Sequence, residues 1–172
     1  MIRVGFSTSS WWVSRLIRWA TKSTVSHAFL LLDGPDGHPL FGDLVLEAEW
    51  CGWALSSLAT LKRGTTHVVT LVEPAIPLGP AVHDAAGWLS EKYNYEGLLG
   101  EALVSLGRRL GKRWRNPLRN SRSMFCSEAI CYVFIAANYP LAITLDPQST
   151  SPQDLLDFLT PSAKSKATVR LS

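Results

Sequence analysis

SHAFLLLDGPDGHPLFGDLVLEAEW, residues 26–50, is the stretch on which the fold turns. Ser26–Asp33 is apolar on both alternating faces, the pattern of a strand in a sheet covered on both sides. Gly34, Pro35, Asp36, Gly37 and Pro39 make the turn, and Leu44–Trp50 returns as the partner strand. If the hairpin is centred on Gly37, residues equally far from that glycine oppose each other, so His27 faces Glu47. Directly opposed residues have Cβ atoms about 4.5–5.5 Å apart on one face of the sheet. A carboxylate at that distance accepts one ring N–H of the histidine, fixes its tautomer and stabilises the imidazolium. The pairing also accounts for a carboxylate inside an apolar run, where it is costly without a partner. Glu49 shares the face and takes the role if the register shifts by two.

On either side of the hairpin the pattern continues. Ile2–Ser7 reads as a strand. Ser9 or Ser10 then caps a helix over Trp11–Thr21, with Trp12, Leu16 and Trp19 on one face and Arg15, Arg18 and Lys22 on another. Thr66–Glu73 is a further strand, closed by Pro74 and Pro77. Helices are expected over Gly79–Glu91, leading into Tyr93-Asn94-Tyr95, and over Gly97–Leu110, ending at Gly111. Met124–Asn138 is the most apolar helix, stopped by Pro140. Ser151-Pro152 starts a last short one, Gln153–Leu159, before a polar tail over 161–172 that reads as frayed. A sheet hairpin followed by helices is α+β in type, and the length suits one domain over 1–172.

Composition narrows the function classes. The chain is 47% hydrophobic and 18% charged, an ordinary globular balance. Its seven Trp read as core and rim packing rather than as a binding code. Arg15 and Arg18 interrupt the apolar run Trp11–Ala20, so it is no secretory signal. No stretch approaches the ~20 apolar residues of a membrane span, and the expected compartment is the cytoplasm. Cys51, Cys126 and Cys131 are an odd set without a disulfide framework, and they do not stand at zinc-ligand spacing with the four histidines. No metal or cofactor is called for. A free cysteine with a chemical role becomes the question.

Net charge is +3, unevenly spread. Seven of the 17 basic residues lie in the segment Arg108–Arg122, which holds no Asp or Glu. That segment reads as a solvated loop or as a surface for an anionic partner, lipid headgroups or cell-wall polymer. No groove-reading motif accompanies the charges, which argues against nucleic acid.

Cys126 stands at the start of the apolar helix, with Ser123 nearby as a candidate cap. Unpaired backbone N–H groups and the positive end of the helix dipole favour a thiolate there, and the same N–H groups suit an oxyanion. Cys131, five residues on, is about 140° round the helix and reads as a small core residue. Ser127 reads as helix chemistry, and Glu128 as solvent-facing or as a cap of the helix start. A thiol nucleophile needs a base. His38 lies in the Gly/Pro turn, His67 begins a strand and His83 sits on an amphipathic helix, which leaves His27 as the candidate.

SHAFLLL around His27, LVLEAEW around Glu47 and MFCSEAICYVF around Cys126 together resemble the circularly permuted NlpC-type branch of the papain-like cysteine hydrolases, the YiiX-like group. There the histidine and its polar partner precede the cysteine, the reverse of the usual papain order. Phe-Cys-Ser-Glu at 125–128 is the most specific element; the order of the others carries the remaining weight. The resemblance implies a papain-like, NlpC-like fold with an antiparallel sheet packed by helices. It also implies hydrolysis or transfer of an amide, peptide or acyl-ester group through a thioester, with Cys126, His27 and Glu47 as triad and Tyr93 or Tyr95 lining the site. The basic insert Arg108–Arg122 departs from the family core and leaves the substrate open. Some relatives act on lipids, and a non-catalytic binding module on the same fold is the competing class.

Overall fold

A computed structural model describes residues 1–33, 43–49, 52–87, 92–93, 104, 107, 111, 123–139 and 144–160. The chain is α+β. β1 (Ile2–Thr8) leads into α1 (Trp12–Thr21), followed by β2 (His27–Leu32), β3 (Leu44–Glu49) and β4 (Gly52–Ser57). Next come the single turn α2 (Leu58–Leu61), β5 (His67–Val72) and α3 (Gly79–Ala86). Short strands β6 (Lys92–Tyr93) and β7 (Ser123–Met124) precede α4 (Cys126–Ala136), a 3₁₀ turn at Pro147–Ser149 and α5 (Pro152–Leu159). Five strands form one antiparallel sheet in the order β4-β3-β2-β1-β5, while β6 and β7 pair in parallel.

The central place of β2 explains its composition. Ala28, Phe29, Leu30 and Leu31 are all fully buried, as a strand covered on both faces requires. Ala28, Leu30, Leu46 and Ala48 face the larger core, against Cys126, Ala129, Ile130, Val133 and Phe134 of α4, with α3 and α5 alongside. Phe29, Leu31 and Val45 face a smaller cluster closed by Leu58 and Leu61 of α2 and by Val68 and Leu71 of β5. Glycine at position 5 is a packing requirement of that second face: a Cβ there would lie 2.1 Å from the Phe29 ring.

Four local expectations are corrected. The strand β4 was not foreseen, because Gly-Trp-Ala-Leu-Ser-Ser lacks the β-branched residues that mark strands. It forms by pairing with all of β3, and Gly52 takes a φ of 121° that favours glycine. Neither Ser9 nor Ser10 caps α1; Trp11 occupies that position without a side-chain bond, and the Ser9 N–H donates to Ser14 Oγ. The helix expected over Met124–Asn138 begins at Cys126, because Ser123 and Met124 are drawn into pairing with Lys92 and Tyr93. Nor are the tryptophans uniformly packed. Trp53 is buried with its indole N–H on the Ala85 carbonyl, but Trp11, Trp12 and Trp19 are all more than 60% exposed.

The helix α5 follows its sequence closely. Ser151 caps α5, its Oγ accepting from Asp154 N–H while the Asp154 carboxylate accepts from Ser151 N–H, with Pro152 in the first turn. Val104 and Gly107 are helical within the segment expected as a helix, and Gly111 has a φ of 71°. The turn at 34–42, Trp50, Cys51, Trp88, Asn94-Tyr95, Trp114, the basic residues of Arg108–Arg122, Pro140 and the tail 161–172 lie outside the described residues. Among the described residues no helix is long and apolar enough to cross a membrane.

Candidate active site

His27 is the first residue of β2, and the alternation of the strand sets it on the face of Phe29 and Glu47. Its Nε2 lies 2.7 Å from Glu47 Oε2. The hairpin register differs from the one expected. Phe29, not His27, is the direct partner of Glu47, so the ladder is centred one residue later than Gly37 and every pairing moves by two. By its spacing that register would favour Glu49 as the residue facing His27, yet Glu47 holds the ring from the diagonal position. The side chain of Glu49 lies outside the described residues.

Glu47 is 1% exposed, and both of its oxygens are engaged: Oε2 by His27, and Oε1 by Ser56 Oγ of β4 at 2.7 Å. A buried carboxylate with both oxygens bonded keeps its charge without the penalty of an orphaned ion. Sequence reasoning missed Ser56, because its strand was missed; the Val45–Ser56 pairing that aims it at Glu47 exists only once β4 is in place. The His27 ring is further fixed by Phe29, which stacks on it at 6.3 Å with 24° between the planes.

Cys126 is the first residue of α4, where the helix meets β2, and its side chain is close enough to the His27 imidazole to raise the pKa of that ring. Because Nε2 is taken by Glu47, Nδ1 is the ring nitrogen left for the thiol. Burial by itself pulls the His27 pKa down, but the hydrogen bonds to Cys126 and Glu47 and the electrostatic pull of both outweigh it, raising it from 6.5 to about 10. The ring is therefore an imidazolium at neutral pH, held between the Glu47 carboxylate and Cys126.

The α4 N-terminus is built without a serine cap. Phe125 precedes the helix, and the Glu128 carboxylate reaches back to accept the Phe125 N–H at 3.3 Å. Glu128 thus caps the helix start, and it does so from a buried position, 1% exposed, rather than toward solvent. The intrahelical ladder starts with Ala129 N–H to the Phe125 carbonyl, so the N–H groups of Cys126 and Ser127 precede it at the positive end of the helix. Ser127 Oγ donates to the Thr150 carbonyl at 2.7 Å, tying the helix start to the segment before α5. Cys131 is fully buried, and desolvation pushes its thiol up to about 12, which leaves it inert as a nucleophile.

The other histidines do not join this cluster. His67 opens β5 and is exposed, His83 is exposed on α3 beside Asp84, and His38 lies outside the described residues. Ser7 stands directly across from His27 in the β1–β2 ladder, and its buried hydroxyl has no hydrogen bond among the described residues. Among the described residues no group of three or more His, Cys, Asp or Glu side chains is arranged to hold a metal ion. The side chain of Tyr93 and all of Tyr95 lie outside the described residues. No protein-family model and no curated protein matches the chain.

Proposed function

We propose that the chain is a cysteine hydrolase of the permuted papain-like, NlpC-like type, acting on an amide or acyl-ester carbonyl. The observation that carries the reading is the shared His27 ring, bonded at Nε2 to buried Glu47 and in range of a cysteine at a helix N-terminus. A structural histidine needs one partner; this one has a carboxylate and a thiol of nucleophilic placement on a single ring. The chain order of histidine strand, carboxylate strand and cysteine helix is that of the permuted group which the sequence resembles.

In this reading the Cys126 thiolate attacks the carbonyl carbon, and the oxyanion is received by the first-turn N–H groups, Cys126 foremost. As the tetrahedral adduct collapses, imidazolium His27 gives its proton to the departing amine or alcohol, leaving a Cys126 thioester. Neutral His27 then takes a proton from water, whose oxygen attacks the thioester and releases the acid and the thiolate. Glu47 keeps the ring in the one tautomer and orientation that serve both steps.

Two measurements test the proposal together. A panel of amides and acyl esters is incubated with the protein, and the acylated residue is located by mass spectrometry. Iodoacetamide modification is then followed over pH 4–9. Acylation at Cys126, and alkylation there well below pH 8.5 that falls at least about ten-fold in His27→Ala, are the expected results. A Cys126 that takes no acyl group and reacts as an ordinary thiol, indifferent to His27, would falsify the enzyme reading.

A further inference from the structure

We infer that the outer face of α1 is a docking surface for an anionic lipid bilayer. On a helix advancing 100° per residue, Trp12, Leu16 and Trp19 fall within an arc of about 60°. These three are 66%, 44% and 64% exposed, and Trp11 at the helix start adds a fourth large apolar side chain, 63% exposed. The residues that α1 turns inward are Ser14, Ile17 and Ala20, smaller than those it turns outward. A helix that served only to cover the sheet would show the opposite arrangement.

The chemistry of the face selects its occupant. Indole has an apolar body and one N–H donor, a combination that settles at the headgroup level of a bilayer. Arg15 is exposed on the same helix and Lys22 at its C-cap, and Arg18, half-buried, directs its guanidinium to the Ser9 carbonyl. The chain has no Asp or Glu before Asp33, so nothing near α1 in sequence offsets this positive charge. An apolar stripe whose own helix and cap carry cations and no acid is complementary to anionic headgroups. A second copy of the chain, docked two-fold through the same face, would set Arg15 and Lys22 against their own equivalents. At ten residues, about 15 Å, α1 is half the thickness of the hydrocarbon layer, so it lies in the interface plane.

The helix is also held firmly enough to transmit such docking. Ser14 Oγ is bonded to Ser26 Oγ at 2.5 Å, and Ser26 immediately precedes His27. The docking face and the candidate site are therefore tied to adjacent residues, although the inference stands on the surface of α1 and not on the hydrolase reading.

Co-sedimentation of the full chain with vesicles tests it, using phosphatidylcholine alone and phosphatidylcholine with about 30 mol % phosphatidylserine. The expected result is pelleting with the anionic vesicles. Partitioning should weaken at least about ten-fold in the double variant Trp12→Ser, Trp19→Ser, and weaken again at high salt or in Arg15→Gln, Lys22→Gln. Leu16→Glu, which puts an acid at the centre of the stripe, should abolish binding, and unchanged melting temperatures confirm that these exposed positions do not unfold the protein. Three results overturn the inference: no pelleting with either vesicle; pelleting that survives the Trp and Leu16 changes, which would assign membrane contact to another surface such as Arg108–Arg122; or loss of a solution dimer in those variants with no vesicle binding by the parent.

Discussion

His27 and Glu47 are bonded along a diagonal of the β2–β3 ladder, with Phe29 in the position directly opposite the carboxylate. Diagonal neighbours have their Cα atoms about 7–8 Å apart, a gap that a glutamate bridges and a shorter aspartate does not. Phe29 fills the space beneath by stacking on the imidazole. Glu47 is thus held by two strands at once, through His27 of β2 and Ser56 of β4.

Glu47→Gln keeps the shape of this side chain and removes its charge. The amide donates as well as accepts, so the ring loses both its tautomer constraint and the partner of its imidazolium. Turnover on whichever substrate acylates Cys126 should fall on the order of 10²–10⁴-fold. The His27 pKa should move down from its raised value, which NMR of the ring protons reads directly. A glutamine variant with full activity would remove Glu47 from the mechanism.

Ser56 acts through Glu47, as a positioning residue. Ser56→Ala leaves the carboxylate with one bond fewer in a buried setting, at a cost of about 1–3 kcal/mol of stability. Activity should drop less than in Glu47→Gln, and Ser56→Thr, which retains the hydroxyl, should restore most of it. If alanine and threonine lower activity equally, the serine matters for packing and not for its bond to Glu47.

The sequence made β2 and the α4 start legible because each obeys a local rule. Ala28–Leu31 is apolar on both faces, and after Ser127 and Glu128 the Cys126 helix carries no charged residue. The identity of the His27 partner was legible for a partly mistaken reason. A centre at Gly37 was assumed, the true register is shifted by two, and the length of the glutamate side chain preserved the contact. Loop geometry sets hairpin register, and the alternation of polar and apolar residues is unchanged by a two-residue shift. The missed β4 has the same root, since Gly52–Ser57 becomes a strand through its neighbour and not through its own propensity. The outward turn of Trp12 and Trp19 was illegible because periodicity says that a face exists and not which face meets the core.

Gly5→Ala should damage both fold and site through one ring. The new Cβ would meet the Phe29 ring at 2.1 Å, and the stacked contact of that ring helps to hold His27. Overpacking of this kind costs about 1–3 kcal/mol, which a denaturant melt detects. The informative readout is the alkylation rate of Cys126 at neutral pH, expected to fall as the imidazole loses its place. Gly64→Ala is the contrasting control: it meets nothing within 4 Å, and the strain of its φ of 72° lies in the α2–β5 connection, away from the site. Equal loss of Cys126 reactivity in the two variants would show that general destabilisation, and not the Phe29 ring, is responsible.

The raised His27 pKa gives stability a direction in pH. Burial opposes the charged ring, and the bonds to Cys126 and Glu47 more than reverse that, so the folded value of about 10 exceeds the unfolded value of 6.5. A group of this sign binds its proton more tightly in the folded state. Its contribution is complete below pH 6.5, declines once the unfolded chain loses the proton, and is gone when pH passes the folded value near 10. Other groups titrate in that window, so the quantity to compare is the melting temperature of the parent minus that of Cys126→Ser, measured at each pH. Serine removes the Cys126 contribution that raises the His27 value, and so lowers the folded pKa. The difference should shrink steadily from pH 7 to pH 10. A difference that stays constant across this range would mean that His27 is not held as an imidazolium by Cys126.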